Sequence, residues 1–211
     1  MLILLGVIGL SIWAYPQLPL KVVTHWNFYS QPDGWSSRNF HVLFFPALLI
    51  FIYALLSIVP KFDKRGNSYP EFAGVYIMIR NIVLLFLAFI FLVTTLYNLG
   101  YAINIAGTVA GAVGALMIIL GNYFVKLKRN SVVGIRTGWS LYSENTWNKT
   151  HRFGSRVFMI WGVGIIIAPW LQPVFAFWIL FGGVAFAAIG TIVASYIFYK
   201  KEKDNEKMLK Q

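Results

Sequence analysis

The chain has 211 residues, 58% of them hydrophobic and 12% charged, with a mean hydropathy of +0.67. Soluble domains carry about 25% charged residues, so this composition excludes an ordinary soluble domain and points to a membrane protein. Cysteine is absent, which excludes disulfides, thiol catalysis and thiolate metal sites. The net charge of +11 is read first as an orientation device, and no direct contact with nucleic acid is expected.

In chain order, residues 2–15 form the first apolar run, about 21 Å long as a helix. It lacks a basic n-region and an A-x-A-type cleavage site, so it reads as an uncleaved first helix rather than a signal peptide. A spanning helix needs about 20 mostly apolar residues. Five further runs meet or approach that, at about 40–59, 72–97, 101–125, 156–171 and 174–199. The expected fold is all-α, a polytopic bundle of six transmembrane helices. Its expected divisions are residues 1–60 (a helix pair with a polar loop at 16–39), 61–125 (helices three and four) and 126–211 (a polar loop at 126–156, helices five and six, and a basic tail).

Lysine and arginine orient these spans. Lys61, Lys64 and Arg65 follow span two; Lys126, Lys128, Arg129, Arg136, Lys149, Arg152 and Arg156 follow span four; Lys200, Lys201, Lys203, Lys207 and Lys210 form the tail. The opposite side carries only Lys21 and Arg38. Positive residues stay inside, so both termini and the 126–156 loop are expected to be cytoplasmic and 16–39 outside. Such a surface also suits an anionic inner leaflet.

Small residues at Gly107, Gly111 and Gly114 in span four, and at Gly183 and Ala187 in span six, allow close helix approach. Packing within one bundle is the favoured use, and a dimer face the alternative, which leaves a homo-oligomer open. Arg80 and Asn81 interrupt span three. An intramembrane Arg either faces a partner or snorkels to the interface, and both readings stand. Asn104 and Asn122 in span four read as interhelical hydrogen bonds. No span carries Asp or Glu, which disfavours a small-solute transporter built on carboxylates.

The loop at 16–39 contains Pro16, Pro19 and Pro32, which rule out a continuous helix, and Gln31-Pro32-Asp33-Gly34 is a turn signal. Trp26, Phe28, Tyr29 and Trp35 suit a headgroup-level aromatic belt, so the loop is either an ordered recognition lid or an ordinary interfacial loop. His25, Asp33 and His41 follow no compact metal-ligand spacing, and no metal or other cofactor is expected. In the second loop, Gly134 and Gly138 break regular structure around Arg136, whose guanidinium is expected to organise the segment. Ser143 then caps a helix with Glu144 in its first turn. Glu144, Trp147 and His151 share a helix face. A membrane-embedded enzyme using Glu144 and His151 as an acid–base pair is the alternative to a structural or binding role.

The two loops resemble those of the SdpI family of bacterial immunity proteins. The first carries Leu18, Pro19, His25, Trp26, Asn27, Pro32, Asp33 and Trp35 of the family pattern. The second carries Asn130, Gly134, Ile135, Arg136, Thr137, Trp139, Ser140, Leu141, Glu144, Trp147, Thr150 and His151. Ser30 departs from a usual Gly, and Gly138 from a usual Pro. The resemblance implies a non-enzymatic, multi-pass protein of the bacterial plasma membrane. Such a protein would protect against a secreted peptide toxin and signal by holding a cytoplasmic transcriptional repressor at the membrane. On that reading His25, Asn27, Asp33, Trp35 and Arg38 face the toxin. Asn130, Gly134, Arg136, Thr137, Trp139, Glu144, Trp147, Thr150 and His151 form the cytoplasmic signalling or structural island.

Overall fold

The computed structural model describes residues 1–27, 29–62 and 69–209. Phe28, Lys64, Arg65 and Lys210, read above as an interfacial aromatic and as inner-face charges, lie outside them. The chain forms α1 (Leu2–Ala14), a hairpin of β1 (Lys21–Trp26) and β2 (Pro32–Ser37), α2 (Arg38–Ile58), α3 (Tyr69–Asn98), α4 (Ile105–Phe124) and α5 (Glu144–Ile167). A further continuous helix follows, built from α6 (Pro173–Phe177), a π-helical turn (Trp178–Gly182) and α7 (Gly183–Met208).

Among the described residues, five helical stretches are long and apolar enough to cross a membrane: Arg38–Phe62, Phe72–Asn98, Ile105–Phe124, Glu144–Trp170 and Pro173–Met208. α1, with 13 residues, reaches about 20 Å, short of a hydrocarbon core of about 30 Å. The all-α expectation needs one correction, the two-stranded antiparallel sheet at 21–37. Its strands hold β-branched Val22, Val23 and Thr24 in β1 and Trp35 in β2, residue types that fit a pleated, half-buried surface. The turn also falls elsewhere than expected. Asn27 makes it, its side-chain oxygen accepting from the N–H groups of Tyr29 (2.9 Å) and Gln31 (3.0 Å). Pro32, Asp33 and Gly34 lie in β2 instead, with Pro32 as first residue, where a missing N–H is tolerated.

Two packed units share the bundle. Val7, Leu49, Leu84 and Phe91 form the core of α1, α2 and α3. The most extensive helix contact joins α4 to α5, and α5 in turn packs on α7. α4 and α5 cross at Gly114 and Gly162. A Cβ on Gly114 would lie 2.4 Å from the Gly162 carbonyl, and one on Gly162 2.6 Å from the Gly114 carbonyl. Small residues here serve packing within the bundle, as expected for Gly114. Gly183 likewise gives room to Trp161, whose indole N–H donates to the Ile179 carbonyl in the π-helical turn (2.8 Å).

Several polar residues sit differently from their expected places. Asn104 caps α4 by accepting from the Gly107 N–H (3.0 Å), so it bonds its own helix rather than a neighbour. Asn81 and Asn122 are exposed on the bundle surface. Arg80 faces partners: it donates to Ser57 Oγ (3.0 Å) and lies 4.8 Å from the centre of the Tyr53 ring. The unit made of α1, α2 and α3 joins the rest where Phe72 and Tyr76 pack against Leu127 and Trp147. We call that the island end of the bundle, and the opposite end, bearing β1 and β2, the hairpin end.

Candidate functional sites at the two ends

At the hairpin end, the strands are pinned to α3 by Asn98. Its side-chain oxygen accepts from the Val23 N–H (2.7 Å), and its amide donates to the Val23 carbonyl (3.0 Å) and the Thr94 carbonyl (2.8 Å). Trp26 packs edge-on to Tyr97, with ring centres 5.1 Å apart. His25 Nδ1 meets Asp33 Oδ1 at 2.5 Å across the hairpin, with both side chains open to solvent. Trp35 is exposed as well. Arg38 sits over Tyr15 (4.8 Å to the ring centre) and donates to the Leu18 carbonyl (3.3 Å). Of the five residues expected there, the structure brings His25, Asn27 and Asp33 together. Trp35 shares the Asp33 face of β2, while Arg38 is engaged with Tyr15 and Leu18 in the segment that follows α1.

His41, weighed with His25 and Asp33 as a metal ligand, is buried and bonded to Thr95 (3.0 Å) among Phe45 and Phe91. Asn98, Thr95 and His41 were missed as organisers of this end. A polar residue closing an apolar helix was the available signal for Asn98.

Ser30 holds φ +61 in the hairpin turn, a left-handed conformation that costs a non-glycine residue about 1–2 kcal/mol. The departure from Gly at this position is therefore a strained one. Ser30→Gly is expected to raise hairpin stability by up to about 1 kcal/mol, the freer unfolded glycine offsetting part of the gain. Slower hydrogen exchange at Asn27, whose N–H donates to Gln31, is the measurement that checks it.

At the island end, a loop folds over the first turns of α5. Asn130 is fully buried and knots the loop: its oxygen accepts from Val132 N (2.8 Å) and Val133 N (2.7 Å), and its amide donates to the carbonyls of Lys128 (2.8 Å) and Val133 (3.0 Å). Gly134 then turns the chain with φ +114, and a Cβ there would lie 2.5 Å from His151 Nε2. That approach lets the Ile135 N–H donate to His151 Nε2 (3.0 Å). Nδ1 faces the Trp147 carbonyl (2.9 Å), which can only accept. Both ring nitrogens of His151 are thus occupied, with the hydrogen on Nδ1.

Trp147 is wholly buried, stacks on His151 with ring centres 3.9 Å apart, and donates its indole N–H to the Leu127 carbonyl (2.7 Å). Thr150 is buried beside it. Thr137 and Ser140 form a reciprocal pair, each N–H donating to the other's hydroxyl (2.9 Å). Ser140 Oγ also donates to the Ile135 carbonyl (2.7 Å).

Two expectations fail here. Arg136 is exposed, with one 3.4 Å bond to the Val132 carbonyl, so Asn130, Gly134 and Ser140 organise the island in its place. Glu144 is exposed and pairs with nothing among the described residues. It lies in the first turn of α5, and both ring nitrogens of His151 are taken by the Ile135 N–H and the Trp147 carbonyl, so the two form no acid–base pair.

The last helix finishes the island, a role that its basic composition concealed. Glu202 accepts from Ser143 Oγ (2.8 Å), the N-cap of α5, and from Thr146 Oγ1 (2.6 Å). It places a carboxylate at a positive helix end. Glu206 accepts from the Tyr142 hydroxyl (3.0 Å), which raises the pKa of that hydroxyl. Ser195 bonds Thr137 (2.8 Å), and Trp139 meets Tyr196 edge-on at 5.1 Å.

The fold and its two polar ends define a helical membrane protein with a solvent-exposed hairpin at one end and a packed, basic-surfaced island at the other. Residues 126–195, the island with the helices that hold it, match the model of the SdpI/YfhL protein family. Residues 2–50 match a domain of unknown function, DUF1648. The chain is 27% identical over 191 residues to "Immunity protein SdpI" of Bacillus subtilis (strain 168), covering 90% of this chain and 89% of that protein. That bacterial relative is named for immunity and not for an enzymatic activity, which supports a non-enzymatic reading. No solved structure matches the chain.

Proposed function

We propose that this chain is a six-helix immunity protein of the bacterial plasma membrane, protecting its host against a secreted killing peptide. The hairpin end faces outward, and the island and both termini face the cytoplasm. The observation that carries this reading is the exposed His25–Asp33 pair on an ordered hairpin, in a chain similar along most of its length to a protein named for immunity. The basic residues cluster at the other end, which supports the orientation. A cytoplasmic repressor held at the island is the matching signalling role. The exposed Arg136 and Arg152 are its contact residues, because Trp147 and His151 are core.

Expression in a toxin-sensitive bacterium challenged with an Sdp-type peptide tests the proposal. Protection is expected, and Asp33→Ala with Trp35→Ala should remove it without lowering the amount of protein in the membrane. Arg136→Ala with Arg152→Ala should leave protection intact and abolish recruitment of the repressor. Unchanged sensitivity at normal membrane levels would overturn the immunity reading. A reporter fused at Gly138 that signals from the periplasm would overturn the orientation.

A further inference from the structure

At the hairpin end the two packed units part, leaving a cavity of about 740 Å³ between α3 on one side and α4, α5 and α6 on the other. Its wall is apolar, with Ile90, Val109 and Ile165 along it. Its mouth is polar, formed by Trp26, Asn27 and the His25–Asp33 pair. No Lys or Arg lines it, and Asp33 is the only carboxylate in residues 1–62 of the sequence. The Trp26 indole N–H is buried there without a hydrogen-bond acceptor among the described residues, a donor left over for a ligand carbonyl.

We infer that this cleft is the binding site for an apolar peptide segment carrying a basic side chain, which pairs with Asp33 while its apolar side chains enter between α3 and α4. The inference rests on the immunity reading for its ligand class and adds the place and the chemistry of recognition. An anionic phospholipid is the poorer occupant. Its phosphate would meet the Asp33 carboxylate at a mouth with no Lys or Arg and only His25 beside it, whereas a lysine of a peptide gains an ion pair there.

The natural absence of cysteine makes a single introduced thiol a unique reporter. Ala176→Cys, on the cleft wall, is placed in phosphatidylcholine nanodiscs in the full-length chain, and its alkylation by N-ethylmaleimide is timed. The probes are acetyl-KLLALL-amide and its glutamine counterpart acetyl-QLLALL-amide. The lysine peptide should protect the thiol at a concentration about three- to fivefold lower than the glutamine peptide, the size of an exposed ion pair. Asp33→Asn, at an exposed position, should erase that difference. Ala110→Trp, which fills the cleft from α4, should weaken protection by both peptides about tenfold or more, and Ala110→Cys repeats the measurement should the first thiol disturb folding.

Equal protection by the two peptides, unaltered in Asp33→Asn, would overturn the assignment. So would stronger protection by phosphatidylglycerol discs without peptide, which would mark a lipid site. Protection that rises with the number of chains per disc would mark a second copy as occupant and overturn it too. Cells that survive toxin while neither peptide protects the thiol would keep the immunity reading and remove the cleft. Protection without survival would keep the cleft and remove that reading.

Discussion

Trp147→Ala is expected to be the most damaging single truncation in the island, lowering stability by about 3–5 kcal/mol, the usual range for a buried Trp. Trp147 has no exposed surface and fills the space between Phe72, Tyr76 and Leu127. Its loss opens a cavity, removes the stacking partner of His151 and leaves the Leu127 carbonyl without its donor. It also loosens the contact by which α3 is joined to α5, so the damage should reach both packed units. Thermal unfolding in detergent, followed by the near-ultraviolet signal of the remaining tryptophans, reads the effect. A fall in stability under about 1 kcal/mol would mean that this junction does not carry the bundle.

Gly134→Ala should be comparably harmful although it adds one methyl group. The backbone at φ +114 is open to glycine and closed to alanine, at a cost of about 1–3 kcal/mol. The new Cβ would also sit 2.5 Å from His151 Nε2 and 3.2 Å from the Trp147 ring. The loop must withdraw, breaking the Ile135–His151 hydrogen bond, so a total loss of about 3 kcal/mol or more is expected. Gly138→Ala serves as the control, because nothing lies within 4 Å of a Cβ there and its φ is not left-handed. Wild-type stability for Gly138→Ala beside a large loss for Gly134→Ala, measured under the same conditions, is the expected pattern.

The spans were legible because hydrocarbon length is a demand that composition must meet residue by residue. Helix existence followed from that demand, and Ser143 marked the start of α5 in the sequence, whereas Asn104 was read as an interhelical bond and proved to be the cap of α4. The hairpin was hidden because the three prolines of residues 16–39 argue against helix without arguing for strand, and because the turn was set by an Asn side chain rather than by the Pro-Asp-Gly run. The island residues were legible as a set, and their division of labour was not. Arg136 and Glu144 drew attention by charge, yet both point outward. Asn130 and Ser140, short and neutral, satisfy the buried backbone, and no local pattern announces which polar side chain will turn inward. Glu202 and Glu206 were overlooked because their partners stand 56 to 64 residues earlier in the chain.

That last distance bears on how the protein is made. During synthesis the island leaves the ribosome well before Glu202 and Glu206, and until they emerge Ser143, Thr146 and Tyr142 lack their acceptors. The island is thus completed only when nearly the whole chain has been translated and its last helix has entered the membrane. A ribosome stalling near Tyr199 would release a polypeptide with its hydrophobic stretches in place and the hydroxyls of Tyr142, Ser143 and Thr146 without their acceptors.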